Sequence, residues 1–186
     1  MTANTIQQLA DAAAAGDAET VRRLLAEDPQ LASAYSDEGW TALHLAATPE
    51  IASMILDAGA DINARNRHKF AGPGNSPLSA AVYQDRRDVV RLLIERGADV
   101  NEGDNAGFTP LHLAVALGRI EAVRILLESG ADANARTNMT GGKQWGNKTP
   151  LDLLAVEDRT GVGGSKIPAQ VVAEIASLLR KHGARS

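Results

Sequence analysis

The stretch GFTPLHLAVALGRIEAVRILLESGADANA, residues 107–135, recurs in altered form along most of the chain. Related copies begin at Gly39, Gly74 and Gly146, and the segment before Gly39 keeps only the part that reads as two helices. Self-similarity with a period of about 20 to 50 residues is typical of solenoids, in which each unit buries its apolar face against the next. The sequence therefore predicts a stack of repeats.

Each copy carries the same signals for the ends of two helices. A Thr or Ser stands where the first helix needs an N-cap, and in three copies Pro follows at the first helical position. The second helix has apolar residues at helical spacing and stops at a Gly, the residue that best adopts a left-handed C-terminal cap. The predicted N-caps are Thr41, Ser76, Thr109 and Thr149, the prolines are Pro77, Pro110 and Pro150, and the stops are Gly59, Gly97, Gly130 and Gly183. The expected core leucines of the second helices are Leu92, Leu93, Leu126 and Leu127.

The motif Gly-x-Thr-Pro-Leu-His at 107–112 and the closing Leu-Leu-x-x-Gly-Ala at 126–131 resemble the ankyrin repeat. The resemblance covers nearly the whole chain as about five units, and Ser76 and Thr109 are 33 residues apart, the family period. It implies an all-α ankyrin-repeat solenoid of stacked helix-turn-helix units, with hairpin loops, called fingers, beside the inner helices. It also implies a protein that binds another macromolecule and is not an enzyme.

The chain is predicted to form a single ankyrin-repeat domain over residues 1–186. Three residues are missing between the helices of the second unit, and the second and fourth fingers are longer by five and seven residues. Insertions in a solenoid gather on one face, often the binding face. The units are approximately 1–36 (the N-terminal cap), 37–72, 73–104, 105–145 and 146–186 (the C-terminal cap), with an inter-helix insertion at 159–168.

Composition excludes several classes of protein. Hydrophobic residues make up 44% of the chain and aromatic residues only 3%, which favours a core of packed helices over a sandwich of strands. There is no cysteine, so disulfides and thiolate metal sites are excluded. The polar start and the absence of long apolar runs predict a cytoplasmic protein with no secretory signal and no membrane span. We expect it to be monomeric when no partner is bound.

No group of residues has the spacing of a catalytic, cofactor or metal site, and we expect none of the three. His44 and His112 occupy the Leu-His-Leu part of the motif, where the resemblance implies hydrogen bonds in the turn between units. Ser79 and Asp152 replace them in two other units, which a shared catalytic role would not tolerate. The acidic residues that follow the Gly-Ala stops are interpreted as loop-fixing; they are Asp61, Asp99 and Asp132.

Aromatic residues predict where a partner binds. In the ankyrin frame they lie in or beside the fingers, except that Tyr83 ends an inner helix toward the concave surface. Trp40 and Phe108 both directly precede a capping Thr, a position that the family commonly uses for partner contact. Trp and Tyr are enriched at interface hot spots, whereas Tyr35 is expected only to pack hairpins together.

Charge refines this surface. The second and fourth fingers are basic and flank an acidic third finger, an arrangement that suits a partner protein with an acidic patch. The predicted contact residues are Trp40, Arg65, Arg67, Phe70, Tyr83, Phe108, Arg136 and Trp145.

The leading hypothesis is a protein–protein interaction module that acts as an adaptor, scaffold or inhibitor. A stand-alone bacterial immunity protein that neutralises a toxin or enzyme is an alternative within the same class. An enzyme with its site in the 159–168 insertion is a competing hypothesis, but Asp158, Arg159, Ser165 and Lys166 have no histidine there to orient them. A nucleic-acid binder using the basic fingers is the third, and the net charge of −4 argues against it.

Overall fold

A computed structural model describes residues 2–67, 75–138, 146–155 and 167–185. Within these ranges the chain forms α-helices, one 3-10 helix at Pro29–Ser33 and an isolated bridge between Tyr35 and Thr41, and it forms no strand. The predicted all-α fold is confirmed. The helices are α1 Ala3–Ala15, α2 Ala18–Glu27, α3 Ala42–Leu45, α4 Pro49–Asp57, α5 Pro77–Tyr83, α6 Arg87–Glu95, α7 Pro110–Ala116, α8 Ile120–Glu128, α9 Pro150–Leu153 and α10 Ala169–Lys181.

The predicted N-caps are all found where the sequence placed them. Thr41, Ser76, Thr109 and Thr149 are the extended residues that precede α3, α5, α7 and α9. The hydroxyl of Thr149 accepts the amide proton of Asp152 at 3.2 Å, which satisfies one donor that the first turn leaves unpaired. Pro follows the cap of α5, α7 and α9 at the first helical position, where no amide proton is needed.

The predicted glycine stops are confirmed as left-handed residues. Gly59, Gly97, Gly130 and Gly183 have φ angles of 96°, 93°, 88° and 86°. A Cβ added at any of them would meet no atom within 4 Å. The backbone conformation, and not a lack of space, therefore requires glycine at these four positions.

The described residues divide into two compact units, one of residues 2–67 and 75–98 and one of 99–138, 146–155 and 167–185. In the first unit, α3 packs between α1 and α5 as an inner layer, and α4 packs between α2 and α6 as an outer layer. In the second unit, α7 packs on α9 and α8 packs on α10. A single domain over 1–186 stays a prediction.

Leucine fills the core of both units, as expected from a chain with few aromatic residues. Leu126 and Leu127 of α8 are buried, and so is Leu93 of α6. Leu92 is only half-buried, so its assignment to the core was wrong. None of the helices in the described part of the chain is both long and apolar enough to cross a bilayer.

Asparagine side chains join the loops of successive repeats in the second unit. The amide oxygen of Asn101 accepts from the backbone of Asp132 at 2.7 Å, and its amide nitrogen donates to Gly130 at 3.3 Å. Asn134 makes the same pair of bonds with Arg185 at 2.8 Å and Gly183 at 3.0 Å. We call Asn101 and Asn134 the asparagine ladder.

Each ladder loop is held by the acidic residue that precedes its asparagine. Asp99 accepts the amide proton of Asn101, and Asp132 that of Asn134, both at 2.8 Å. Asp61 makes the equivalent bond with Asn63 in the first unit at 3.0 Å. This is the turn that Asp favours by binding the backbone two residues on, and the loop-fixing role predicted for these residues is confirmed.

The shortened second repeat changes one inner helix. Helix α3 has four residues where α5 and α7 have seven, so it ends about one turn early. The amide of Gln84 donates to the carbonyl oxygen of His44 at 3.3 Å, and the guanidinium of Arg86 donates to that of Leu45. Side chains from the next repeat therefore satisfy carbonyl groups that the missing turn leaves without helical partners.

Candidate functional site

The two motif histidines lie buried between consecutive repeats. The Nδ1 of His112 accepts the amide proton of Thr109 at 3.2 Å, and its Nε2 lies 3.1 Å from the carbonyl oxygen of Lys148. Because a carbonyl oxygen can only accept, Nε2 must carry the proton. His44 is bound in the same way, to Thr41 and to the carbonyl oxygen of Asn75.

Burial keeps both imidazoles neutral. It lowers the pKa of His44 to about 4 because the charged form would lose its hydration, and it lowers the pKa of His112 for the same reason. In the fifth repeat the carboxylate of Asp152 takes the place of the imidazole and accepts the amide proton of Thr149 at 3.0 Å. Any side chain with a hydrogen-bond acceptor at this position can therefore bind the amide of the capping Thr. The predicted hydrogen bonds of the histidines in the turn between units are confirmed.

Both lengthened fingers close through the same backbone bond. The amide of Asn66 donates to the carbonyl oxygen of Asn75 at 2.9 Å, and that of Thr137 to Lys148 at 3.0 Å. The side chains then differ: the hydroxyl of Thr137 accepts the amide proton of Lys148 at 2.9 Å, whereas Oδ1 and Nδ2 of buried Asn66 have no hydrogen-bond partner among the described residues. Nothing in the repeat pattern indicated this orphaned amide.

The predicted contact residues occupy different environments. Tyr83, Arg65, Arg67 and Arg136 are exposed, Trp40 is half-buried and Phe108 is buried. Phe70 and Trp145 lie outside the described residues, as does most of the 159–168 insertion.

Phe108 does not belong to the surface. Only 2% of it is exposed, and its ring centroid lies 5.3 Å from that of His112. Trp40, at the same position of its repeat, lies edge-on to His44 at 5.4 Å and keeps part of its surface exposed. The expectation that both residues face a partner therefore fails for Phe108, whose side chain is used to cover a buried histidine.

Tyr83 is the large hydrophobic side chain that the described residues leave exposed, at 54%. It ends α5 directly before Gln84, which caps the shortened helix α3. One period later the corresponding residue is Ala116, which is buried. The repeat can therefore be packed at this position without an exposed ring.

The guanidinium of Arg67 stacks on Tyr35. Its Cζ atom lies 3.7 Å from the centre of the tyrosine ring, a cation–π distance. The amide of Arg67 also donates to the carbonyl oxygen of Gly39 at 2.8 Å, so the second finger is bonded to the first. The packing role expected for Tyr35 is thus found, but its arginine partner was not foreseen.

Arg65 and Arg67 point the same way from the second finger. Residues 64–67 alternate between buried and exposed, as successive side chains do in extended backbone. In the second unit, exposed Arg136 corresponds to Arg65 and donates to the carbonyl oxygen of Asn147 at 3.0 Å. No group of three or more His, Cys, Asp or Glu within the described ranges is placed to hold a metal ion.

Helix pairs with the same caps, bonded to one another through buried histidines and through exposed asparagines, define a solenoid of helical repeats. The chain belongs to the ankyrin-repeat family, because a family model of ankyrin repeats in three copies matches residues 4–66 and 66–137. Ankyrin repeats are protein–protein interaction modules and are generally non-catalytic.

Similar stretches occur in much larger proteins. The E3 ubiquitin-protein ligase KEG of Arabidopsis thaliana is 39% identical over 95 residues, which are 47% of this chain and 6% of that protein. The serine/threonine-protein kinase VIK of the same plant is 36% identical over 84 residues, 44% of this chain and 18% of that protein. The neurogenic locus Notch protein of Drosophila melanogaster is also 36% identical over 84 residues, 3% of its length. The chain spans less than two thirds of each of these relatives.

Proposed function

We propose that this chain binds another protein through its fingers and the exposed end of the inner helix α5. In this role it acts as an adaptor, scaffold or inhibitor, as a cytoplasmic monomer that performs no chemistry itself. The exposed ring of Tyr83 carries the proposal. The helix pair does not need that ring for packing, since buried Ala116 fills the same position one repeat later.

An exposed tyrosine on a rigid helix suits a binding anchor. It offers a large contact area at little conformational cost, and Tyr and Trp dominate interface hot spots. Trp40 supplies a second, partly exposed ring in the same compact unit. Part of the Trp40 ring already packs edge-on against His44, so less of it is left to contact a partner. We therefore expect Trp40 to contribute less to the binding free energy than Tyr83.

The exposed arginines favour a partner with an acidic surface. Arg65 and Arg67 lie on the second finger and Arg136 on the fourth. Exposed charges at the rim of an interface mainly accelerate encounter and set its orientation. The proposed partner therefore presents carboxylates opposite the basic fingers and an apolar pocket or patch opposite Tyr83.

Affinity capture from the native source, followed by mass spectrometry, identifies the candidate partner, and binding kinetics with variants test the surface. Tyr83→Ala should weaken binding by at least about 2 kcal/mol, roughly thirtyfold. Reversing Arg65 and Arg67 to Glu should mainly slow association and reduce its salt dependence. Arg91→Ala, on the exposed face of α6, serves as the control. Wild-type kinetics in both the Tyr83 variant and the arginine reversal would move the binding surface to the outer helices or to the acidic N-terminal unit.

A further inference from the structure

The stacked pair Tyr35 and Arg67 has the geometry of a preorganised anion receptor. The backbone beneath it is bonded on both sides: Asn66 donates to Asn75 at 2.9 Å within its own finger, and Arg67 donates to Gly39 at 2.8 Å in the preceding one. Tyr35 is fixed in turn by its bridge to Thr41. The guanidinium therefore has a defined position even though the side chain of Arg67 is exposed.

Stacking leaves the hydrogen-bonding edge of the guanidinium available. The tyrosine ring covers one flat face, whereas the five N–H groups point outward in the plane of the group. No carboxylate oxygen of the described residues lies within the 4.0 Å of an ion pair with Arg67. A planar fork held in this way matches two carboxylate oxygens and has less side-chain freedom to lose when it binds them.

We propose that Arg67, held against Tyr35, binds a side-chain carboxylate in an acidic segment of the partner protein. This inference rests on the proposed function and assigns its charge recognition to one residue of the second finger. The stack on Tyr35 distinguishes Arg67 from exposed arginines whose guanidinium is already bonded within the protein, such as Arg136, which donates to the carbonyl oxygen of Asn147. Asp37 and Glu38 are exposed on the first finger beside Gly39, whose carbonyl oxygen binds Arg67, so their negative charges should weaken the binding of an acidic ligand at this site.

The test uses the full chain with fluorescein-labelled octaglutamate, followed by fluorescence anisotropy at low salt. Arg67→Lys keeps the charge but loses the fork and the flat stack, and Tyr35→Leu removes the ring but keeps apolar bulk. Each should weaken binding about threefold to tenfold. Arg67→Gln should weaken it at least as much, while Arg91→Gln should change it by less than about twofold because Arg91 lies on α6.

A variant that binds octaglutamate more tightly than wild type serves as a further test, because misfolding cannot explain a gain of affinity. The double variant Asp37→Asn with Glu38→Gln removes the two opposing carboxylates and should tighten octaglutamate binding severalfold, an effect that Arg67→Gln should abolish. Equal affinity of wild type and Arg67→Lys, or equal losses in Arg67→Gln and Arg91→Gln, would overturn the proposal in favour of diffuse charge. Binding of an octaphosphoserine peptide tenfold tighter than octaglutamate would assign the site to phosphate instead.

The same variants separate this inference from the proposed function. If a captured partner protein binds wild type, Arg67→Lys and Tyr35→Leu with equal affinity, the proposed function stands and the carboxylate receptor is wrong. Octaglutamate binding that depends on both residues, in a chain that captures no protein, supports the receptor and removes the proposed function.

Discussion

The Nε2 of His44 lies 2.9 Å from the carbonyl oxygen of Asn75, 31 residues later in the chain, and donates its proton to it. The same oxygen also accepts the amide proton of Asn66. One carbonyl group thus closes the second finger and joins two repeats. His112 and the carbonyl oxygen of Lys148 repeat the arrangement in the second unit.

We expect this chain to lose stability as the pH falls from about 6.5 to about 4. The folded pKa of His44 is about 4, below its ordinary value of 6.5, so the unfolded chain binds more protons in this window. The contribution is fully present above pH 6.5, is reduced by about 2 kcal/mol at pH 5 and is gone below pH 4. Urea unfolding at a series of pH values measures it.

His44→Gln should flatten this dependence, most clearly between pH 5 and 6.5, where carboxylates contribute little. The variant should also be less stable at neutral pH because it loses the bond to Asn75. His182→Gln, at an exposed position after α10, is the matched control. An unchanged pH slope in His44→Gln would show that His44 is not the titrating group.

Asn66→Thr should raise the free energy of unfolding by about 1 kcal/mol. The substitution removes two buried polar atoms without partners and offers a hydroxyl to the amide of Asn75, as Thr137 does to Lys148. The reverse change, Thr137→Asn, should destabilise by a similar amount. Denaturant midpoints of the two variants measure both changes. A lower midpoint for Asn66→Thr would show that the side-chain amide of Asn66 stabilises the fold.

Arg86→Met should destabilise the chain by about 1.5–3 kcal/mol, because it leaves the carbonyl oxygen of Leu45 without its charged donor. Methionine keeps most of the apolar length of the side chain. Arg87→Met is the control, since Arg87 is exposed and pairs with the neighbouring Asp85 at 3.0 Å. Equal thermal midpoints for the two variants would show that the bond to α3 contributes nothing.

Leu126→Ala should cost roughly 2–5 kcal/mol through lost burial and the cavity left behind. Leu126 has no exposed surface, whereas Leu178 in α10 of the same unit is half-buried. Leu178→Ala should therefore cost clearly less. Urea unfolding followed by circular dichroism compares the two, and a wild-type midpoint for Leu126→Ala would remove this residue from the core.

The caps and stops could be predicted because each depends on one residue and its immediate neighbours. Thr149 and Pro150 specify the start of a helix, and Gly183 specifies a left-handed end, whatever surrounds them. The support of α3 by Gln84 and Arg86 could not be predicted in this way. It depends on a deletion in one repeat being met by side chains about 40 residues away.

The surface was harder to predict than the fold, since position in a repeat does not determine exposure. Trp40 and Phe108 share one position, yet one is half-buried and the other is in the core. Tyr35 was assigned to packing because a sequence cannot show which cation lies over its ring. The orphaned amide of Asn66 was missed because Asn and Thr are equally acceptable in a polar loop.

The asparagine ladder separates the spacing of the repeats from the length of their fingers. Asn101 and Asn134 bond to the backbone just beyond the ends of the following outer helices. Residues added at a finger tip therefore leave these bonds unchanged. Such a chain is a natural scaffold for loop grafting. We expect the loops between the repeats of the second unit to accept a transplanted or randomised tip while helices α8 and α10 keep their register.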